Sequence, residues 1–276
     1  MSGAPPSLTG AQLGAYRIEC LLGEGGMARV YRGADPSGQP VAVKVVRSKL
    51  ARDKVFRRRF EREARVAREI RSSALVGVLD SGEHEGTPYL VQEFMSGGSL
   101  EARLERDRRL ALDETLRVAD RLADGLAALG AAGIVHRDVK PGNVLFDAAG
   151  RASLADFGLV RDAKGTVLTR VGQTLGSPHY MAPEQIRGEE VTSATDVYSL
   201  ACLLYECLSG GSPFADQRGM QVLWSQLTGI PPSLADAPPE VSVAVLAGMA
   251  KEPTERPGSA IAYVATIRRA AGIEPV

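Results

Sequence analysis

The prevailing hydrophobic pattern of the chain changes at the small-residue joint Ser96-Gly97-Gly98. Ahead of the joint, short apolar runs bounded by turn residues read as strands over about 16–22, 28–33, 41–46, 75–82 and 87–94. Beyond it, apolar residues recur at helical spacing, as in Leu116, Ala119, Leu122, Leu126 and Leu129, a stripe that Asp113 is placed to cap. Residues 197–205 are apolar nearly all round and predict a buried central helix, with further helices near 217–227, 239–250 and 259–270. Strands first and helices after define an α+β chain. Its 276 residues suffice for one large domain or two tightly joined lobes.

One helix interrupts the strands. Over about 53–70, Phe56, Phe60, Ala67 and Ile70 make an apolar stripe with Glu63 in its middle. At about 100° per residue, Glu61 points to the opposite side and Glu69 off the stripe. An inward carboxylate needs a partner, because burying it unpaired is expensive. Lys44, ending Val41-Ala42-Val43-Lys44, is the natural candidate; alone it reads equally as a snorkelling surface lysine. The arginines of this helix are interrupted by Glu61 and Glu69 and lack interleaved aromatics, so they read as a solvated face.

The chemistry concentrates in Ile134-Val-His-Arg-Asp-Val-Lys-Pro-Gly-Asn-Val-Leu145. Two apolar ends pin a turn that holds Asp138, Arg137, Lys140 and Asn143, and a second acid, Asp156, ends a later apolar run. An acid to accept a proton, with an amide and another acid to hold a hard cation, is what metal-assisted phosphoryl transfer requires. Asp138 or Asn143 taken singly is equally an Asx-turn residue; the ordered set is not. The glycine turn Gly23-Glu-Gly-Gly-Met-Ala-Arg-Val30 joins two strands and lets backbone N–H groups approach a phosphate, although many hairpins carry such glycines.

His136-Arg137-Asp138, Asn143 and Asp156-Phe157-Gly158 are also the signatures of protein kinases. Over about residues 16–271 the chain resembles bacterial members of the eukaryotic-type (Hanks-type) Ser/Thr protein kinases. The resemblance implies a bilobal protein-kinase fold over 13–276: a small, mainly antiparallel N-lobe with one key helix (13–94), a hinge (93–98) and a mainly helical C-lobe (99–271); the Ser/Gly/Pro/Ala composition of 1–12 reads as a disordered leader. It implies transfer of the ATP γ-phosphate to Ser/Thr hydroxyls of proteins in bacterial signalling, with Mg²⁺, or Mn²⁺ in its place. Asp138 is then the base, Lys140 the γ-phosphate cation, Lys44–Glu63 the strand-to-helix ion pair, and Asn143 with Asp156 the metal ligands. ATP would meet Gly23, Gly25, Gly26 and Val30 in the glycine turn, Leu22 before it, Ala42 and Lys44 beyond it, and Leu145. The Glu93 carbonyl and Met95 N–H would bind adenine, with Gln92 as gatekeeper. Ala28 departs from the family's third glycine, leaving the strength of nucleotide binding open. Ser177 stands where the family usually has Thr and can make the same bond to Asp138 and Lys140. Asp196 would bind backbone N–H groups of the catalytic loop, and Glu184 with Arg256 would form a buried ion pair.

Between Gly158 and Ala182-Pro-Glu184 the chain is polar, with Thr166, Thr169 and Thr174 as candidate phosphosites and Arg137 as the cation to pair with them. The alternatives are a nucleotide-binding scaffold without transfer, or a small-molecule kinase of the same fold. With 33 basic and 33 acidic residues the net charge is zero, which draws the chain to neither nucleic acid nor membrane. Cys20, Cys202 and Cys207 lack metal-ligand spacing and read as small buried thiols of a reducing compartment. No signal peptide is visible and no apolar run is long enough to span a bilayer. The expected setting is cytoplasmic, as a whole protein or as the cytosolic part of a longer membrane-anchored one. Protein substrates are the expected partners, together with a second copy for autophosphorylation in trans.

Overall fold

The computed structural model describes residues 8–157 and 178–274. Thr166, Thr169, Thr174, Ser177 and Gly158 lie outside the described residues. The chain divides into two compact units, 1–71 with 76–96 and 72–75 with 97–276.

The first unit is built on an antiparallel sheet. Its strands are β1 (Gln12–Leu13), β2 (Tyr16–Glu24), β3 (Ala28–Ala34), β4 (Pro40–Val46), β5 (Val78–His84) and β6 (Thr87–Glu93), in the order β1-β2-β3-β4-β6-β5. Period-2 alternation sends Tyr31, Val41, Val43, Val45, Tyr89 and Val91 to one face, where they close a core with Leu13 and Ile18. Leu8 and Ala11 pack against that core, and β1 begins at Gln12, so the leader expected over 1–12 is structured from Leu8 onward: its apolar residues find a face to bury. Cys20, expected buried, is exposed, because a register shift between Ile18 and Cys20 turns it to solvent.

Between β4 and β5 run a short helix α1 (Ser48–Ala51) and the longer α2 (Lys54–Glu69). Asp53 caps α2 by accepting from the Val55 and Phe56 N–H groups, and Phe60, Ala64 and Ala67 make its buried face. Arg57 pairs with Glu83, and Arg68 donates to Asp80 at 3.2 Å, so the arginine face is solvated, as expected, and also makes surface pairs with β5.

The second unit is helical around one hairpin. Its elements are α3 (Leu100–Asp107), α4 (Leu112–Ala131), β7 (Val144–Phe146), β8 (Ala152–Leu154), α5 (Pro183–Arg187), α6 (Ser193–Ser209), α7 (Met220–Thr228), α8 (Pro239–Ala247) and α9 (Ala260–Ala270). The stripe of α4 is buried as its spacing predicts, but Ala111 is the N-cap residue; Asp113 lies in the first turn, paired with Arg117 at 2.8 Å. There a carboxylate favours the helix dipole instead of capping it. Helix α6 is buried on almost every side and α4, α8 and α9 pack around it. Both of its thiols, Cys202 and Cys207, are buried.

Candidate active site

In the second unit the predicted residues are held by one network. Asp138 Oδ2 accepts from Lys140 Nζ at 3.1 Å and from Asn143 Nδ2 at 3.1 Å. The same Asn143 nitrogen donates to the Asp138 carbonyl at 2.8 Å, so the carboxylate is fixed relative to its own backbone. Just upstream, the His136 and Arg137 N–H groups each donate to Asp196 at 2.8 Å, one to either carboxylate oxygen. Asp196 sits in the first turn of α6, 4% exposed. Burial pushes its carboxyl up to about 7, against the backbone N–H groups and the Arg137 charge, which pull it down.

Arg137 has φ 67°, a left-handed conformation that a bulky residue holds only when its surroundings impose it. They do so from both sides. Its N–H is bound by Asp196, and its carbonyl accepts from Gln185 Nε2 at 3.0 Å. His136, 2% exposed, completes the frame. Its Nδ1 accepts the Asp138 N–H at 3.2 Å, which places the ring proton on Nε2, where it donates to the Ala155 carbonyl at 3.0 Å.

The hairpin brings the other acid to this loop. Val144 pairs with Leu154, so Asn143 and Ala155 flank the open end, and the Ala155 N–H donates to the Asn143 carbonyl at 2.8 Å. Asp156 is the next residue, with φ 63°. The donors fit Mg²⁺: the Asn143 amide nitrogen is spent on Asp138, which leaves its oxygen, and Asp156 adds a carboxylate. Mg²⁺ takes such hard oxygens one or two at a time and fills its shell with water and phosphate. Among the described residues no group of three or more His, Cys, Asp or Glu is arranged to hold a metal. Leu145, half-buried on β7, bridges to Ser99.

The remaining predicted residues lie in the first unit. The glycine turn joins β2 to β3, with Gly23 opposite Val30 and the Gly25 N–H donating to the Ala28 carbonyl at 2.9 Å. A Cβ built on Gly23 or Gly26 would meet no atom within 4 Å, so packing does not require glycine there. What their bareness offers is close approach by a ligand. Leu22, before the turn, is 49% exposed. On β4, Lys44 lies opposite Val30 and Leu90, and Ala42 opposite Gln92, all on the sheet face away from the Val41–Val43–Val45 core. Glu63 of α2 accepts from Arg59 at 3.0 Å. The Glu93 N–H donates to the Gly77 carbonyl, and its carboxylate accepts from the Gly77 N–H at 3.1 Å. Met95 follows, half-buried.

Two residues named as structural form a buried fork in the second unit. Arg256 Nη1 and Nη2 donate to the two Glu184 oxygens at 2.8 Å each, with side chains 0% and 1% exposed. Burial pushes the Glu184 carboxyl up, but the Arg256 and Thr195 hydrogen bonds outweigh it and hold the group below its ordinary value. Sequence reasoning missed Gln185 and the Tyr180–Glu206 pair, whose partners are distant in sequence. It named His136 without a role.

A glycine turn and Lys44 on the sheet of the first unit, and in the second an acid and an amide on one loop with a further acid beyond the hairpin, are the features expected of a nucleotide-dependent phosphotransferase. The family model described as protein kinase domain matches residues 16–257. The chain therefore belongs to the protein kinase domain family. It is 38% identical over 265 residues to the serine/threonine-protein kinase PknH of Mycobacterium bovis, which covers 94% of this chain and 44% of the relative. It is 36% identical over 261 residues to PknE of Mycobacterium tuberculosis, covering 93% of this chain and 46% of that protein. The chain thus spans less than half the length of these curated relatives. The crystal structure of the M. tuberculosis PknI kinase domain superposes with a TM-score of 0.78 at 28% identity, covering 96% of this chain and 99% of that one.

Proposed function

We propose that the chain transfers the γ-phosphate of ATP to Ser and Thr hydroxyls of proteins, its own segment 158–177 included, in bacterial signalling from the cytosol. The observation that supports this most is the setting of Asp138, a carboxylate locked by Lys140 and Asn143 on a loop that Asp196 holds from below. The names of the relatives favour Ser/Thr acceptors.

In this reading Asp138 orients the acceptor hydroxyl and takes its proton as the new oxygen–phosphorus bond forms and the bond to the β-phosphate bridging oxygen breaks, releasing ADP. Lys140 neutralises charge on the phosphoryl group in flight. Lys44, steadied by Glu63, holds the α/β-phosphates under the glycine turn. Asn143 and Asp156 would hold Mg²⁺, or Mn²⁺, which when bound supplies charge neutralisation across the phosphates. Arg137 would pair with a phosphate on Thr166, Thr169 or Thr174.

The test is incubation of purified protein with labelled ATP and Mg²⁺, with Asp138→Asn alongside, followed by site mapping. Phosphate on Thr166, Thr169 or Thr174 in the wild type alone, abolished by EDTA, is the expected result. ATP binding without transfer to itself or to a generic basic protein would overturn the reading in favour of a scaffold.

A further inference from the structure

Gln185 is the third residue of α5, and both ends of its amide are used. Its Oε1 accepts the Ala182 N–H at 3.0 Å, and its Nε2 donates to the Arg137 carbonyl at 3.0 Å. One end faces a donor and the other an acceptor, so turning the amide over would break both bonds, and its orientation is fixed. The first bond alone has an ordinary reading. A Gln or Glu at the third position of a helix reaches back to the N-cap N–H, and either serves, since only an oxygen is needed. The second bond needs a nitrogen, so what glutamine adds here lies at Arg137.

Arg137 is joined to Asp138 by a planar peptide unit. Gln185 holds the carbonyl of that unit, and the N–H of the same unit donates to His136 Nδ1 at 3.2 Å. Gripped at both polar ends, the unit sets the direction in which the Asp138 side chain leaves the backbone. The φ of 67° at Arg137 gives the grip its purpose, because a bulky residue keeps that conformation only under support.

The other end of the amide belongs to the backbone of 178–182. Gln226, buried, donates to the Pro178 and His179 carbonyls, and Ser199 Oγ donates to the Tyr180 carbonyl at 2.7 Å. Gln185 takes the Ala182 N–H of this anchored stretch and reaches from it to the loop of Asp138. From this we infer that Gln185 is a positioning residue for phosphoryl transfer: it ties the backbone of 178–182 to the peptide unit that carries Asp138, so the base is aimed only while that segment is seated. The inference rests on the kinase reading, in which Asp138 takes the proton of the acceptor hydroxyl.

The two bonds can be separated. Gln185→Glu keeps the bond to the Ala182 N–H and favours the helix dipole, but it sets an oxygen against the Arg137 carbonyl. Gln185→Met loses both bonds without adding charge. The measurement is kcat, with KM for ATP and for a generic basic protein acceptor, for wild type and both variants, alongside thermal unfolding of all three. In Gln185→Glu, kcat is expected to fall about tenfold, the scale of one lost hydrogen bond, with KM for ATP unchanged and a melting temperature close to wild type. Gln185→Met is expected to show a similar fall in kcat with a lower melting temperature. Wild-type kcat in Gln185→Glu, with Gln185→Met merely less stable, reduces Gln185 to a helix cap and overturns the inference while the kinase reading stands. A fall seen in Gln185→Glu alone, which its charge explains, overturns it too, as does a rise in acceptor KM at unchanged kcat. No transfer by the wild type, with ATP bound, overturns the kinase reading and this inference with it.

Discussion

In the proposed reading Asp138 would act through geometry as much as through basicity. Asparagine at this position keeps the shape and an oxygen for Lys140, but it has no basic oxygen to take a hydroxyl proton. Asp138→Asn is therefore expected to slow transfer at least ~10²-fold, the scale of lost general-base work, with nucleotide affinity and melting temperature unchanged. A wild-type initial rate at saturating ATP would remove Asp138 from that role. Asp196 makes a separate prediction. Its carboxyl, raised to about 7 chiefly by burial, holds the His136 and Arg137 N–H groups best when ionised. The sign differs for stability and activity. Protonation relieves the burial cost, so this group's contribution to stability falls as pH rises from its ordinary 3.8 toward about 7. Catalysis should move the other way, with kcat declining as pH drops through that value while the fold persists. A flat kcat on both sides of about 7 would sink the idea that the ionised carboxylate sets the loop. Asp138, Asn143 and Asp156 could be singled out in the sequence by residue type and spacing, and the structure brings Asn143 onto Asp138 and places Asp156 just past the hairpin that follows. Gln185 could not be singled out, because its bond to the Arg137 carbonyl exists only once α5 has been folded against the loop.

Elements read from periodicity came out close to their observed bounds wherever the apolar stripe was long. Helix α2 was read over 53–70 and observed as Lys54–Glu69, with Asp53 as its cap. The short α3 went unread: only Leu100 and Leu104 are buried in it, too few to declare a period, and it follows directly on the glycine joint. A propensity argument fails inside α4. Gly125 lies mid-helix, where alanine would ordinarily gain about 1 kcal/mol. Here an added Cβ would sit 2.9 Å from the Ala74 carbonyl oxygen and 3.1 Å from a Leu75 methyl. Gly125→Ala is expected to destabilise by about 1–3 kcal/mol through overpacking, read as a lower denaturation midpoint. A higher midpoint would mean that the contact relaxes freely. The fork between α5 and the loop before α9 supplies the companion test. Arg256→Met strands a buried carboxylate and should cost about 3–5 kcal/mol, while the double variant with Glu184→Leu should recover much of it. Additive losses in that cycle would show that the two side chains are not coupled.

At the scale of the whole molecule, the balance of 33 basic and 33 acidic residues matters for how one copy meets another. A chain with zero net charge feels no long-range repulsion from its own kind, so encounters between copies need no screening by salt. Among the described residues, no helix is long and apolar enough to cross a membrane. A protein-directed site that accepts a Ser/Thr segment of another chain can accept segment 158–177 of a second copy. Autophosphorylation is therefore expected to run in trans, with a rate per molecule that climbs with protein concentration and changes little between low and physiological salt. The decisive mixture pairs wild type with a size-tagged Asp138→Asn copy, which can receive phosphate but not donate it. Label on the tagged copy at Thr166, Thr169 or Thr174, at a rate set by the wild-type concentration, is the predicted outcome. A specific rate independent of concentration, with the tagged copy unlabelled, would instead mean that each chain phosphorylates only itself, and the second copy would lose its place as a partner.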